Sequence, residues 1–237
     1  MITVFGKNVG LDDLPTTVER PARARSRWMG IPHRKLADEL IQEVTSRGWE
    51  VTESRFALSG KDNSECCGAL ELRIPGVAVS ENMSLSLGII TSNAMRRPLK
   101  LYAGAVVRVC TNGLATGEII MKRKHTNGLL LRQELPEVID EYLWAARKVR
   151  AVETKLRETE LAPAQAEHAL LEAGRQGLMP WSRLGQVDHE YRHPRFEEHG
   201  TGTAWALVNA FTWVVKQNPP LQQLAQMNAF RELALAV

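Results

Sequence analysis

The run Ala69-Leu70-Glu71-Leu72-Arg73-Ile74 is closed by Pro75-Gly76 and followed by Met83-Ser84-Leu85-Ser86-Leu87-Gly88-Ile89-Ile90. In both runs apolar side chains recur at every second position, the period of a strand with one buried face. Only a short turn segment separates them, which favours antiparallel pairing of chain neighbours. Toward the N-terminus, Trp49, Val51 and Phe56–Leu58 read as an earlier strand, joined through the turn Gly60-Lys61-Asp62-Asn63-Ser64. Toward the C-terminus, Ser92-Asn93-Ala94 breaks the chain before Leu99–Cys110, a further strand whose Gly104 predicts a bulge or close backbone packing. Asn112-Gly113 and Gly117 read as turns. Successive strands with short connections predict a meander rather than βαβ units.

Helices flank this region. Leu36, Leu40 and Val44 share one helical face, and Gly48 ends that helix because it bears no Cβ at the left-handed position. Residues 11–32 ahead of it read as an arm carrying Arg20, Arg23, Arg25 and Arg27. After Gly128 the period changes. Pro136 suits a helix start, and Val138, Tyr142, Ala145, Val149, Val152 and Leu156 form an apolar seam with charges on the other faces. Further helices are expected near Ala164–Gly174, over Thr203–Lys216, and around Leu221–Leu235 after Pro219-Pro220. The fold class is α+β: an antiparallel β-meander with an N-terminal helix and a C-terminal helical segment. It divides into a basic N-terminal arm (1–32), a β-rich core (33–133) and a helical region packing on the core (134–237).

The 237 residues, 44% of them apolar, suffice for a substantial core. No apolar run approaches the roughly 20 residues that span a bilayer, and Met1–Gly10 shows no signal pattern. A cytoplasmic protein without a membrane partner is expected. Cys66, Cys67 and Cys110 are odd in number and lack a useful spacing, so free thiols acting as small hydrophobes are expected. The net charge of +3 hides an asymmetry: residues 1–133 hold 19 Lys and Arg against 13 Asp and Glu, and residues 134–237 hold 11 against 14. A basic first half suits a polyanionic partner.

Candidate chemistry is sparse. Lys122-Arg123-Lys124-His125 is the densest positive cluster, and Arg96, Arg97 and Lys100 lie around an earlier turn. Brought to one edge of the meander, these seven residues would track phosphates, with Trp28 in the arm available for base stacking. The same charges would also serve as a solvated face. His189-Glu190-Tyr191-Arg192-His193 fits the pattern in which one helical turn aims two imidazoles at zinc and the glutamate acts as base, with His199 as a third ligand. Pro194 opposes it by ending the helix at the second histidine. The bland reading is a polar connector between helices. No G-x-S-x-G, phosphate-loop or dinucleotide pattern is present, so neither a cofactor nor a nucleotide cradle is expected.

Four segments together resemble a known family: Leu87-Gly88-Ile89-Ile90-Thr91-Ser92-Asn93; Leu99–Cys110 into Thr111-Asn112-Gly113-Leu114; Arg123-Lys124-His125-Thr126; and Thr203-Ala204-Trp205, Leu207 and Asn209-Ala210-Phe211-Thr212. The family is phage- and plasmid-borne and known only as domain of unknown function nine-three-two. The likeness covers most of residues 27–216, and Met95-Arg96-Arg97-Pro98 departs from it in being more basic. It implies a mobile-element setting and no catalytic residues. In outline the chain is also similar to phage single-strand annealing proteins.

Three functions follow as expectations. The first is a mobile-element accessory protein that binds single-stranded nucleic acid, with strand annealing by a homo-oligomer as its extension. The second is a non-enzymatic inhibitor that binds a host protein through the seam Tyr142, Val149, Val152, Leu156. The third is a zinc hydrolase using His189, His193 and His199 with Glu190 as base.

Overall fold

A computed structural model of the chain describes residues 6–81, 83–107, 112–126, 129, 131–216, 218 and 220–237. Its centre is a six-stranded antiparallel sheet in which every strand pairs with its chain neighbour. The strands are β1 (Lys7–Val9), β2 (Glu50–Ser59), β3 (Glu65–Arg73), β4 (Met83–Ser92), β5 (Leu99–Val107) and β6 (Asn112–Arg123). Helix α1 (His33–Ser46) precedes β2; α2 (Leu131–Glu158), α3 (Pro163–Arg175), α4 (Trp181–Arg192), α5 (Ala204–Val215) and α6 (Pro220–Ala234) follow β6. The α+β meander read from the sequence is therefore the observed architecture.

Cross-strand register sorts the side chains. Leu70, Leu87 and Ala103 stand in one row and Leu72, Leu85 and Ala105 in another, all buried beneath the helices. Helices α2, α5 and α6 pack over β5 and β6, and α1 packs over β2. Tyr142, Trp205, Phe211 and Phe230 fill the space between sheet and helices, with the rings of Phe211 and Phe230 stacked at 3.9 Å. At about 25 cal/mol per Å² of apolar surface, each such ring supplies several kcal/mol of burial free energy. The opposite face carries the row Ala57, Cys67, Ile90, Lys100, Lys122. Cys67, Ile90 and Tyr102 form a small separate apolar cluster there.

Several boundaries differ from the sequence reading, each for a physical reason. Strand β3 begins at Glu65, because Cys66, Cys67 and Gly68 already pair with β2. Gly68 is required there: a Cβ would lie 2.5 Å from Phe56 Cδ1. Asn112-Gly113 and Gly117 belong to β6, not to turns. The expected bulge at Gly104 appears as a register shift between Ala103 and Ala105. The end of the expected fourth strand, including Cys110, lies outside the described residues.

Helix α2 starts at Leu131, so Pro136 lies inside it. Proline offers no N–H to the preceding turn, and its own carbonyl accepts a 2.7 Å hydrogen bond from Arg47. Helix α4, read as a connector, buries Leu184, Val187 and Tyr191 at spacings of three and four. The seam of α2 is buried within the chain, with Val152 packed against the core at its edge. Of the seam offered for docking a host protein, only Val152 remains partly exposed. No helix among the described residues is long and apolar enough to cross a membrane.

Candidate nucleic-acid interface

The arm is fastened to one end of the sheet, where the β4–β5 turn, the start of β3 and the end of β6 meet. Asn93, just past β4, is buried. Its Oδ1 accepts from the Ile31 N–H at 2.9 Å, and its Nδ2 donates to the Ile31 carbonyl at 2.9 Å. One amide side chain thus mimics a strand partner for the arm and satisfies both polar groups of a buried peptide. The Asn93 N–H donates to the Ser64 carbonyl at 2.7 Å. Arg23 donates to the Ala94 carbonyl, Trp28 bridges to Thr126, and the Met29 N–H donates to the His125 carbonyl at 3.2 Å.

Two imidazoles lie beneath this strap. His33, the first residue of α1, donates through Nε2 to the Asn63 carbonyl at 3.1 Å, and His125 Nε2 lies 2.9 Å from Thr91 Oγ1. The Nδ1 atoms of both are buried without a hydrogen-bond partner. Burial outweighs the carbonyls of Asn63 and Ser64 and lowers the pKa of His33 to about 4. Burial, and then the neighbouring His33, lower His125 to about 4, against a smaller opposing influence of the Met29 backbone. Both rings are neutral at pH 7 because an imidazolium in so dry a position loses its hydration.

The strap brings Arg23 of the arm onto the β4–β5 turn that bears Arg96 and Arg97. Arg96 and Arg97 share one buried carboxylate, Glu65, at 3.2 and 3.5 Å, so this trio carries net positive charge. Lys100 and Lys122 face each other across β5 and β6 on the outer face. The Lys100 ammonium is held below its ordinary value, first by partial burial and then by Lys122 and Arg97. Like charges directly opposite destabilise a sheet, and an anion placed among them relieves the repulsion.

The residues named from sequence therefore divide. Arg96, Arg97, Lys100 and Lys122 come together at one end of the sheet, and Lys124 is exposed beside them. Arg123 instead turns to α2, where it pairs with Glu134. His125 is buried beneath the arm and does not present its ring to a phosphate. Trp28 is half-buried, with Arg20 over its ring at 5.9 Å. Sequence reasoning missed Asn93, His33 and Glu65. Asn93 was legible as a chain break and as the end of a segment resembling the family, and nothing periodic marks a buried amide.

The zinc-hydrolase constellation does not assemble. His189 and His193 are exposed on one side of α4, whereas Glu190 is buried and accepts from Arg195 Nε at 3.0 Å. His199 is buried edge-on against Phe196, with ring centres 5.2 Å apart. Among the described residues, no group of three or more His, Cys, Asp or Glu is placed to hold a metal ion. Cys66 and Cys67 are buried with their thiols pushed up in pKa, unlike a nucleophile.

No protein-family model, curated protein or solved structure matches the chain.

Proposed function

We propose that the protein binds single-stranded nucleic acid, with the strand's phosphates running over the sheet end formed by Arg96, Arg97, Lys100, Lys122 and Lys124 beside the arm. One observation carries this reading: the Asn93–Ile31 clamp holds an arginine-rich arm against the cation-bearing β4–β5 turn, joining charges that are distant in sequence. Crowding of Lys100 by Lys122 and Arg97 gives the same place an intrinsic preference for anions. The segments that carry the resemblance to the phage- and plasmid-borne family, Thr91-Ser92-Asn93 and Arg123-Lys124-His125-Thr126, build this same end. A mobile-element role in handling or annealing single strands is in keeping with that likeness.

Phosphate contacts release counterions, so the affinity depends steeply on salt. Titration of a fluorescent single-stranded oligonucleotide at several salt concentrations is expected to give a linear log–log fall. The double substitution Lys100→Glu, Lys122→Glu is expected to weaken binding at least tenfold and flatten that slope. Arg175→Glu, at an exposed position of α3, which packs on α4 and α6, is expected to change little. Absence of binding at micromolar protein in low salt defeats the proposal, and so does a double variant that binds like the parent.

A further inference from the structure

The failure of the hydrolase constellation leaves one part of it standing. Pro194 ends α4, and His193 caps it with φ −131° and ψ 69°. Its N–H still donates to the His189 carbonyl at 2.8 Å, so the last turn closes and the two side chains share a face. Both rings are exposed, and their centres lie 5.1 Å apart at an interplanar angle of 50°.

That separation has a specific chemical meaning. An imidazole nitrogen sits about 2.0–2.1 Å from a zinc-type ion, which puts the ring centre about 3.2 Å away. Two such rings at the tetrahedral angle have centres about 5 Å apart. The centre-to-centre spacing of His189 and His193 is therefore one that two rings on a single ion can adopt. The electrostatic setting is compatible: Arg192 is held by both Asp188 and Glu167, at 2.9 Å each, and Arg195 by Glu190 at 3.0 Å.

We propose that His189 and His193 form a two-histidine surface site for a borderline divalent transition ion such as Zn²⁺ or Ni²⁺. Its remaining positions are filled by water or by a donor from another molecule. Glu190 takes no part, because its carboxylate is turned inward to Arg195. The site is thus a docking point for a metal and not a hydrolytic centre. Hard cations such as Mg²⁺, which demand oxygen ligands, are not expected to bind there.

Calorimetric titration of untagged protein with NiCl₂ and with ZnCl₂ tests this. One equivalent is expected to bind, with no matching heat from MgCl₂. His189→Asn and His193→Asn are each expected to weaken binding at least tenfold, while His168→Asn, an exposed histidine on α3, leaves it unchanged. All these positions are on the surface, so circular dichroism is expected to show each variant folded. Absence of saturable binding overturns the proposal, as does a His189→Asn or His193→Asn protein that keeps the parent affinity.

Discussion

Replacing Asn93 by alanine isolates the clamp from the rest of the fold. The substitution removes two buried hydrogen bonds to the Ile31 peptide and leaves its N–H and carbonyl without partners. An unsatisfied buried peptide group costs about 1–3 kcal/mol, and water entering the gap recovers part of it. A loss of about 2–4 kcal/mol follows for the docked arm. At 1.4 kcal/mol per factor of ten, the opening equilibrium of the arm rises roughly 30- to 700-fold. Native-state hydrogen exchange reads this at the Ile31 amide, and trypsin reads it at Arg23, Arg25 and Arg27. Amides of the central strands, Leu70 and Leu87 among them, are expected to keep their protection because their ladders are untouched. Asn93→Asp retains an acceptor for the Ile31 N–H and is expected to fall between parent and alanine. Unchanged exchange at Ile31, or a loss of protection shared equally by the sheet, refutes the reasoning.

Acid is expected to loosen the same region. His33 and His125 titrate near 4 in the folded chain, below the ordinary value of 6.5. The unfolded chain therefore binds more protons between those values, and stability falls as pH drops from about 6.5 toward 4. For one ring the loss approaches about 3 kcal/mol, and for His125 the charge of His33 is part of that loss. Urea midpoints measured at pH 7, 5.5 and 4.5 are expected to fall less in His33→Gln than in the parent; identical slopes would contradict the account. The thiols of Cys66 and Cys67 are expected to resist alkylation in the folded state, since burial raises both, Cys67 to about 12 despite the pull of Arg97. Mass-spectrometric mapping of iodoacetamide adducts at pH 8 checks this, and rapid native modification of the β3 peptide would contradict it.

Much of the fold was written in period. The alternation from Ala69 to Ile74 and from Met83 to Ile90 placed β3 and β4, and the spacing of Leu36, Leu40 and Val44 placed α1. The start of strand β6 was missed because its glycines resemble punctuation, although pairing with β5 imposes extension on them from outside. Helix α4 was missed because charged residues outnumber the three apolar anchors that hold it down. At the sheet end, the cations were legible as composition, but their pairing was not. Glu65 lies far from Arg96 in sequence and meets it only because β3 starts where β4 ends. A buried amide or imidazole leaves no rhythm in a sequence, since its partners are backbone atoms whose position depends on the whole fold.

The strictly sequential order of the strands bears on how the chain reaches its native state. Each pairing from β2 to β6 closes a short loop, at low entropic cost, so hairpins can zip one after another as the chain is synthesised. The pairing of β1 with β2 is the exception. It must enclose the whole arm and α1, so the three residues Lys7–Val9 cannot dock on Phe56–Leu58 until that long excursion has been gathered in. The strand that comes first in this sheet's chain order is thus set to be among the last to find its place.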